Sequence, residues 1–317
     1  MLGTMATASS HITQKFEEWM AKHNRVYSNN LEKERRYKIF KENFKQRRAR
    51  YNTEPKLNIF GDQTDDELPK GCVRLPLEPL EISYNPIFYD EFAPDNKNWA
   101  YEGVVTEVRR QQGDTCWAFT AAAAIEGIVK IKKGELVTLS PQQIVDCTLA
   151  REKYREHYGL KGTIGGGHPE AGFEYAADYG INREITYPFI GRDQPCNAKL
   201  ERYPYTKISG YLGIPPNVEN LMKKYVASQP IAAVMEITRT FHRYIDGVYQ
   251  DEFGECGRLP MRNRSYHAVT VVGYGTDEDD MDYWLVKNSW GPDWGEEDGY
   301  FRIQRNVYRR FIMWSYT

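Results

Sequence analysis

Hydrophobic positions change their period twice along this chain, and the changes divide it. Between residues 16 and 52, Phe16, Trp19 and Met20 recur at i, i+3 and i+4, and Tyr37, Phe40 and Phe44 continue with helical spacing. That period predicts two amphipathic helices. The second is dense in charge, with Glu32 and Arg36 at i, i+4 in the favourable order, although a charge run of this kind also serves simply as a solvated face. Asn58, Phe60 and Asp62 then alternate, which predicts a short strand before a turn. From 72 to 94 prolines interrupt every short apolar run, so this stretch is expected to be an extended linker.

Further on, residues 116–132 read as a helix, with Asp114 or Thr115 as N-cap and Gly134 past its end. LSPQQIVDC predicts a short helix opened by Ser140 and Pro141, and PEAGFEYAADYG a third closed by Gly180. After about residue 205 the pattern shifts to β-prone runs: YTKISGYL, PIAAVMEI, HAVTVVGYG, YWLVKNSW and YFRIQR. Helices first and strands later imply an α+β domain in two lobes.

Composition adds exclusions. The chain has 317 residues, 41% hydrophobic and 14% aromatic, enough for two or three modest domains. A net charge of -2 gives no pull towards nucleic acid or an anionic membrane. No apolar run approaches the roughly 18 residues of a membrane span, and the first 15 residues lack the apolar core of a signal peptide, so the chain reads as soluble and leaderless. The five cysteines, at 72, 116, 147, 196 and 256, are an odd number without a CxxC pair, which leaves at least one thiol unpaired within the chain and argues against zinc.

The cysteine with chemical promise is Cys116, in QQGDTCWAFTAAAAIEGIVK. A cysteine in the first helical turn meets unpaired N–H groups and the positive end of the macrodipole, which favour its thiolate. Thiolate catalysis also requires a proton donor for the leaving group, and histidine supplies one near neutral pH. His267 begins a predicted strand, and Asn288 ends another, where an amide can fix an imidazole's orientation. On residue types alone, a buried inert cysteine, a core histidine and a turn asparagine explain the same pattern.

CWAF, LSPQQIVDC, a GGxP turn, a His-Ala strand ending in GYG, and KNSWGPDWGEEDGY, in that order, resemble a papain-family cysteine protease. The N-terminal unit resembles the family's inhibitory propeptide. Glu32, Arg36, Phe40 and Asn43 match its interspersed helical motif, from which Arg47 and Tyr51 depart; Asn58, Phe60 and Asp62 match its second motif, where Lys56 stands for glycine. The resemblance implies a papain-like α+β fold, a helical lobe plus an antiparallel β-barrel lobe, preceded by a helical propeptide. It divides the chain into an inhibitory propeptide domain at 14–72, a linker at 73–92 and a peptidase domain at 93–317.

By the same resemblance Cys116 is the nucleophile, His267 the general base and acid, Asn288 its orienter and Trp290 the shield of that pair. Gln111 supplies the oxyanion donor, with Gln112 the competing choice. Gly166 and Gly167 bind substrate backbone, and His168, Pro169, Val234, Tyr266, Ala268 and Met313 line a largely apolar specificity pocket, although Glu170 stands where an aromatic residue is usual. Cys147 and Cys196 are expected to pair, Cys72 and Cys256 to be free. One family bridge is gone, because Asp114 and Thr115 precede Cys116 and TIGGGHP has no cysteine. A carboxylate at Asp114 predicts a raised Cys116 pKa. Asn263-Arg264-Ser265 is either an N-glycosylation site or a chance sequon.

The reading is a thiol-dependent endopeptidase zymogen working through an acyl-enzyme, with no cofactor and no metal. Two others stay open: non-proteolytic acyl or aromatic chemistry on the same scaffold, and a catalytically silent binding or storage protein. The implied partners are peptide or protein substrates, the chain's own propeptide and cystatin-type inhibitors; nucleic acid and membrane are not expected. A monomer is expected, vacuolar, lysosomal or secreted, and nearest in wording to plant members.

Overall fold

The computed structural model describes residues 2–51, 53–69, 71, 93–162, 164–251, 265–306 and 315–316. The expected linker at 73–92, and Cys72, Cys256, Asn263 and Met313, lie outside the described residues.

The first two helices are α1 (Leu2–Lys22) and α2 (Asn30–Tyr51). The apolar positions with helical spacing meet between them: Phe16, Trp19, Phe40 and Phe44 form a small aromatic core, with Phe16 and Phe40 ring centroids 5.1 Å apart. The predicted i, i+4 pair forms, Arg36 Nε lying 2.7 Å from Glu32 Oε1.

The predicted strand at 58–62 is instead a pair of tight turns. Gly61 N–H donates to Asn58 O at 2.9 Å and Gln63 N–H to Phe60 O at 3.1 Å. Side chains from the helices hold the turns closed: Trp19 Nε1 donates to Asn58 O, and Asn43 Nδ2 donates to both Gly61 O and Gln63 O. Satisfying these carbonyls locally leaves none for a strand ladder.

The remaining described residues build two cores. One surrounds α3 (Cys116–Lys133), whose alanines let α4 (Pro141–Leu149) and, beyond the short α5 (Glu152–His157), α6 (Pro169–Asp178) approach closely. A Cβ on Gly172 of α6 would sit 2.6 Å from the Ala121 Cβ. The caps are those expected: Ser140 accepts from Gln143 N–H, and Gly134 closes α3 with φ 75°. Thr115 is the α3 N-cap, but its hydroxyl donates to Gln112 O. A disulfide joins Cys147 to Cys196.

The second core lies on a sheet. The long strands β3 (Ile231–Ile237), β5 (Ser265–Thr276), β6 (Asp282–Lys287) and β7 (Tyr300–Gln304) run antiparallel in that order, flanked by β4 (Val248–Tyr249), parallel to β7, and by the short pair β2 (Gly213–Ile214) and β8 (Ser315–Tyr316); β1 (Lys97–Asn98) pairs with β5. YTKISGYL makes only an isolated bridge, Thr206 to Ile181, because it packs as irregular chain on the helical side, where Lys133 and Tyr211 engage neighbours off the sheet. Among the described residues no helix is long and apolar enough to cross a membrane.

The N-terminal unit joins the sheet's core: Ile59, Phe60 and Leu68 are buried in it. Each such side chain contributes about 1.5–3 kcal/mol when fully buried. Two departures from the propeptide motifs also contact this lobe, since Arg47 donates to Arg243 O at 2.8 Å and Lys56 Nζ lies 3.6 Å from Asp246.

Candidate active site

Three elements converge where the two cores meet. Cys116 is the first residue of α3 and fully buried. β5 crosses beside it, so that Ala268 N–H donates to Cys116 Sγ at 3.2 Å and places His267 one residue away. The β5–β6 register pairs Thr270 with Lys287 and carries Asn288 past the strand's end, where its Oδ1 accepts from His267 Nε2 at 2.8 Å. That bond puts the proton on Nε2 and leaves Nδ1 as the unprotonated nitrogen of the neutral ring.

Trp290 lies over this pair. Its ring stacks on His267 at 4.7 Å and on His242 at 5.0 Å, while Phe60 of the N-terminal unit meets it edge-on at 5.6 Å. Burial is therefore extreme, and it pushes the His267 imidazole down to about 4, with the Asn288 bond opposing and nearby His242 adding to the shift. Cys116 is itself held in a disulfide and carries no thiolate to stabilise an imidazolium. The expectation that Cys72 and Cys256 are free falls outside the described residues.

The two glutamines separate cleanly. Gln111 N–H donates to Ser289 O at 2.7 Å, and its Oε1 accepts from Ser289 Oγ at 2.6 Å, which ties it to the segment carrying Asn288. Its Nε2 donates to Gly113 O at 2.9 Å. Gln112 points elsewhere, against Gly191, whose added Cβ would sit 2.0 Å from the Gln112 Oε1.

Where the family bridge is missing, backbone contacts hold the approach to Cys116. Asp114 N–H donates to Ile164 O at 2.9 Å, and Ile164 N–H donates to Asp193 Oδ1 at 2.6 Å. Ile164 has φ 60°, a conformation costly for a β-branched residue. Gly113, φ 60°, lies so close that a Cβ there would be 2.2 Å from Ile164 Cγ2.

Val234, Tyr266 and Ala268 pack with Cys116 and Trp117 in the first core, Val234 opposite Ala268 in the β3–β5 register. Gly167 packs against Trp117, and His168 caps α6 just ahead of Pro169. Gly166 belongs to the same irregular segment, between Gly165 and α6. Beside them, buried Glu170 places Oε2 3.8 Å from His168 Nδ1.

Sequence reasoning missed a buried ionic group behind the site. Lys287, next to Asn288, donates to Thr106 Oγ1 at 2.8 Å; Thr106 in turn donates to Glu126, which Arg109 meets at 3.0 Å. Burial lowers Lys287 to about 8, with Glu126 opposing. The signal was a lysine inside an otherwise apolar strand, YWLVK.

Residues 93–314 match the papain family cysteine protease model, and residues 16–68 the cathepsin propeptide inhibitor domain. Papain from Carica papaya is 36% identical over 95% of this chain and 84% of its own length. Among solved structures, recombinant stem bromelain precursor superposes with a TM-score of 0.77 at 33% identity, covering 96% of this chain and 97% of that one. Bromelain from Ananas comosus bound to the E64 inhibitor aligns over 70% of this chain and 97% of its own, at 34% identity and a TM-score of 0.60. The chain belongs to the papain family of cysteine proteases and carries its inhibitory propeptide: it is a thiol endopeptidase zymogen.

Proposed function

We propose that Cys116, His267, Asn288 and Gln111 carry the peptidase chemistry, with the boundaries 14–72, 73–92 and 93–317 separating propeptide, linker and enzyme. The observation that carries the assignment is the convergence of the α3 N-terminus with His267 hydrogen-bonded to Asn288 at 2.8 Å. Once Cys116 is a free thiol, the α3 N-terminus stabilises its thiolate. That thiolate attacks the scissile carbonyl, and the Cys116 N–H with Gln111 Nε2 takes the developing oxyanion, after Nε2 turns from Gly113 O. His267, which takes the thiol's proton on Nδ1 as the thiolate forms, gives that proton to the leaving amine; water then hydrolyses the thioester with His267 as base. Trp290 keeps water from the His267–Asn288 bond.

Gly166 and Gly167 hold the substrate backbone, and Val234, Tyr266, Ala268, Pro169 and His168 receive the side chain two residues before the cleaved bond, together with Met313. An apolar or aromatic side chain suits most of that lining, while the His168–Glu170 pair gives one wall a polar character. Cystatin-type inhibitors, a monomeric state and a vacuolar, lysosomal or secreted location belong to the same reading. Peptide-library hydrolysis by the processed, reduced enzyme tests it. Cleavage after apolar residues at that position, lost in Cys116→Ala and His267→Ala, supports the assignment, and hydrolysis surviving either substitution overturns it.

A further inference from the structure

We infer that a cavity in the helical lobe, separate from the cleft, binds an aliphatic carboxylate of the fatty-acid type. The cavity holds about 510 Å³, inside the roughly 300–1,000 Å³ range of small-molecule sites. It lies between the C-terminal half of α3, Phe173 of α6 and the irregular segment 206–212. Cys116 opens α3, and Ile128 in the cavity wall stands 12 residues on, about 18 Å along the helix axis. The site is therefore distinct from the peptidase chemistry.

The sequence of α3 shapes its wall. Ala124, Ile125, Ile128, Val129, Lys132 and Lys133 stand at i, i+1, i+4, i+5, i+8 and i+9, which aligns them in two files on one helix face. Each file is apolar for two turns and ends in a lysine. Opposite them, segment 206–212 makes one isolated bridge, at Thr206, and is fixed by Tyr211, whose ring stacks on Phe173 at 5.8 Å. Ile208 and Leu212 add aliphatic wall on that side. Small residues leave the gap between unfilled: Ala124 is one, and a Cβ added at Gly210 would meet nothing within 4 Å.

Charge sets the sign of the ligand. Lys132, Lys133 and Lys207 rim the cavity, and among the described residues no carboxylate lines it. Lys133 Nζ donates to Thr206 Oγ1 at 3.2 Å and Lys207 Nζ to Asp178 O at 3.0 Å, which holds both ammonium groups at the rim. An ammonium has three N–H donors, so each keeps two for a ligand. Lysines in the last turn of α3 also offset its macrodipole, as Lys130 does by donating to Gly134 O at 2.8 Å. Lys207 lies outside α3 and has no such duty. The occupant that matches is one anionic head among the lysines with an aliphatic body along the two files. From Ala124 to Lys132 the helix rises about 12 Å, which suits a medium-length acyl chain better than a single aromatic ring.

The test titrates the full-length zymogen at neutral pH with decanoate below its micellar concentration, by calorimetry, with 1-decanol and 2-naphthoate as comparison ligands. One decanoate should bind per chain, more weakly as salt is raised. Lys132→Glu should weaken decanoate about fivefold, the scale of one exposed ion pair, and leave decanol unchanged. Ile128→Trp, which fills the cavity, should remove binding of both, with circular dichroism showing that each variant is folded. On the wild type, a diazirine-bearing decanoate should label peptides within 124–133 or 206–212, a readout that no poorly folding variant affects. Absence of decanoate binding, labelling only elsewhere, affinity unmoved by both substitutions, or 2-naphthoate bound in preference to decanoate overturns the inference.

Discussion

His267 shows how much the covered state alters a single group. An ordinary imidazole titrates near 6.5; in the closed zymogen, burial brings this one to about 4. The depressed value belongs to the closed state, so its contribution to that state is full above about pH 6.5 and is lost as pH falls through about 4. The shift corresponds to about 3 kcal/mol. NMR titration of the zymogen should place the His267 midpoint near 4, moving up after propeptide removal and reduction, when a thiolate stabilises the imidazolium. A midpoint of 6.5 in the zymogen would contradict this account. At Gln111 the expectation is kinetic: Gln111→Ala lowers kcat about 10²-fold or more with little change in KM, as loss of one oxyanion donor does. Gln112→Ala, directed at Gly191 instead, leaves kcat within a few-fold of wild type, and steady-state kinetics on one peptide decide between the two.

The turn at 58–62 is the element that couples propeptide to enzyme. Asn58 Nδ2 donates to both His242 O and Tyr244 O, at 2.8 and 2.9 Å, from a fully enclosed position. Asn58→Ala removes both bonds; His242 O keeps Trp294 Nε1 at 3.0 Å, while Tyr244 O loses its Asn58 donor, at about 1–3 kcal/mol. Processing at pH 6 should therefore quicken by 10-fold or more, read from the appearance of the mature chain on a gel; an unchanged rate would mean that the turn does not hold the propeptide. This element also marks what the sequence left illegible. The alternation of Asn58, Phe60 and Asp62 obeyed a strand's period, but the residues that fold it into turns are Trp19 and Asn43, and its partners lie some 180 positions away. YTKISGYL failed for a related reason, since β-prone residues without a free strand edge form no ladder. By contrast α3, α4 and α6 were legible because their caps, Ser140 and Gly134 among them, act within a few residues. Cys116, His267 and Asn288 were legible through the order of their motifs, while the disulfide state of Cys116 was not, because pairing among five cysteines is a matter of space.

At the scale of the whole molecule, the propeptide is held by aromatic burial and by charges of opposite response to acid. Burial opposes ionisation of Glu67, but the Thr64 N–H and Arg36 outweigh it and hold the carboxyl below its usual range. Asp65 pairs with Arg239 and Arg243 across the interface, at 3.3 and 3.2 Å. The depressed Glu67 carboxylate stabilises the closed form above its ordinary range, and that contribution is lost as pH falls through its own pKa. Processing should thus accelerate as pH falls below about 4.5, and Glu67→Gln should flatten that dependence. A pH series of processing rates with and without the substitution checks this, equal slopes being the contrary result. The central claim, that this chain is a zymogen whose nucleophile is Cys116, is tested most directly by titrating the acid-processed, reduced protein with an epoxide thiol inhibitor and reading mass and peptide hydrolysis together. The account predicts one label per chain, on Cys116, with hydrolysis falling in proportion to labelling. A folded, processed, reduced chain that takes no label at Cys116, or that hydrolyses peptides after full labelling, would contradict it.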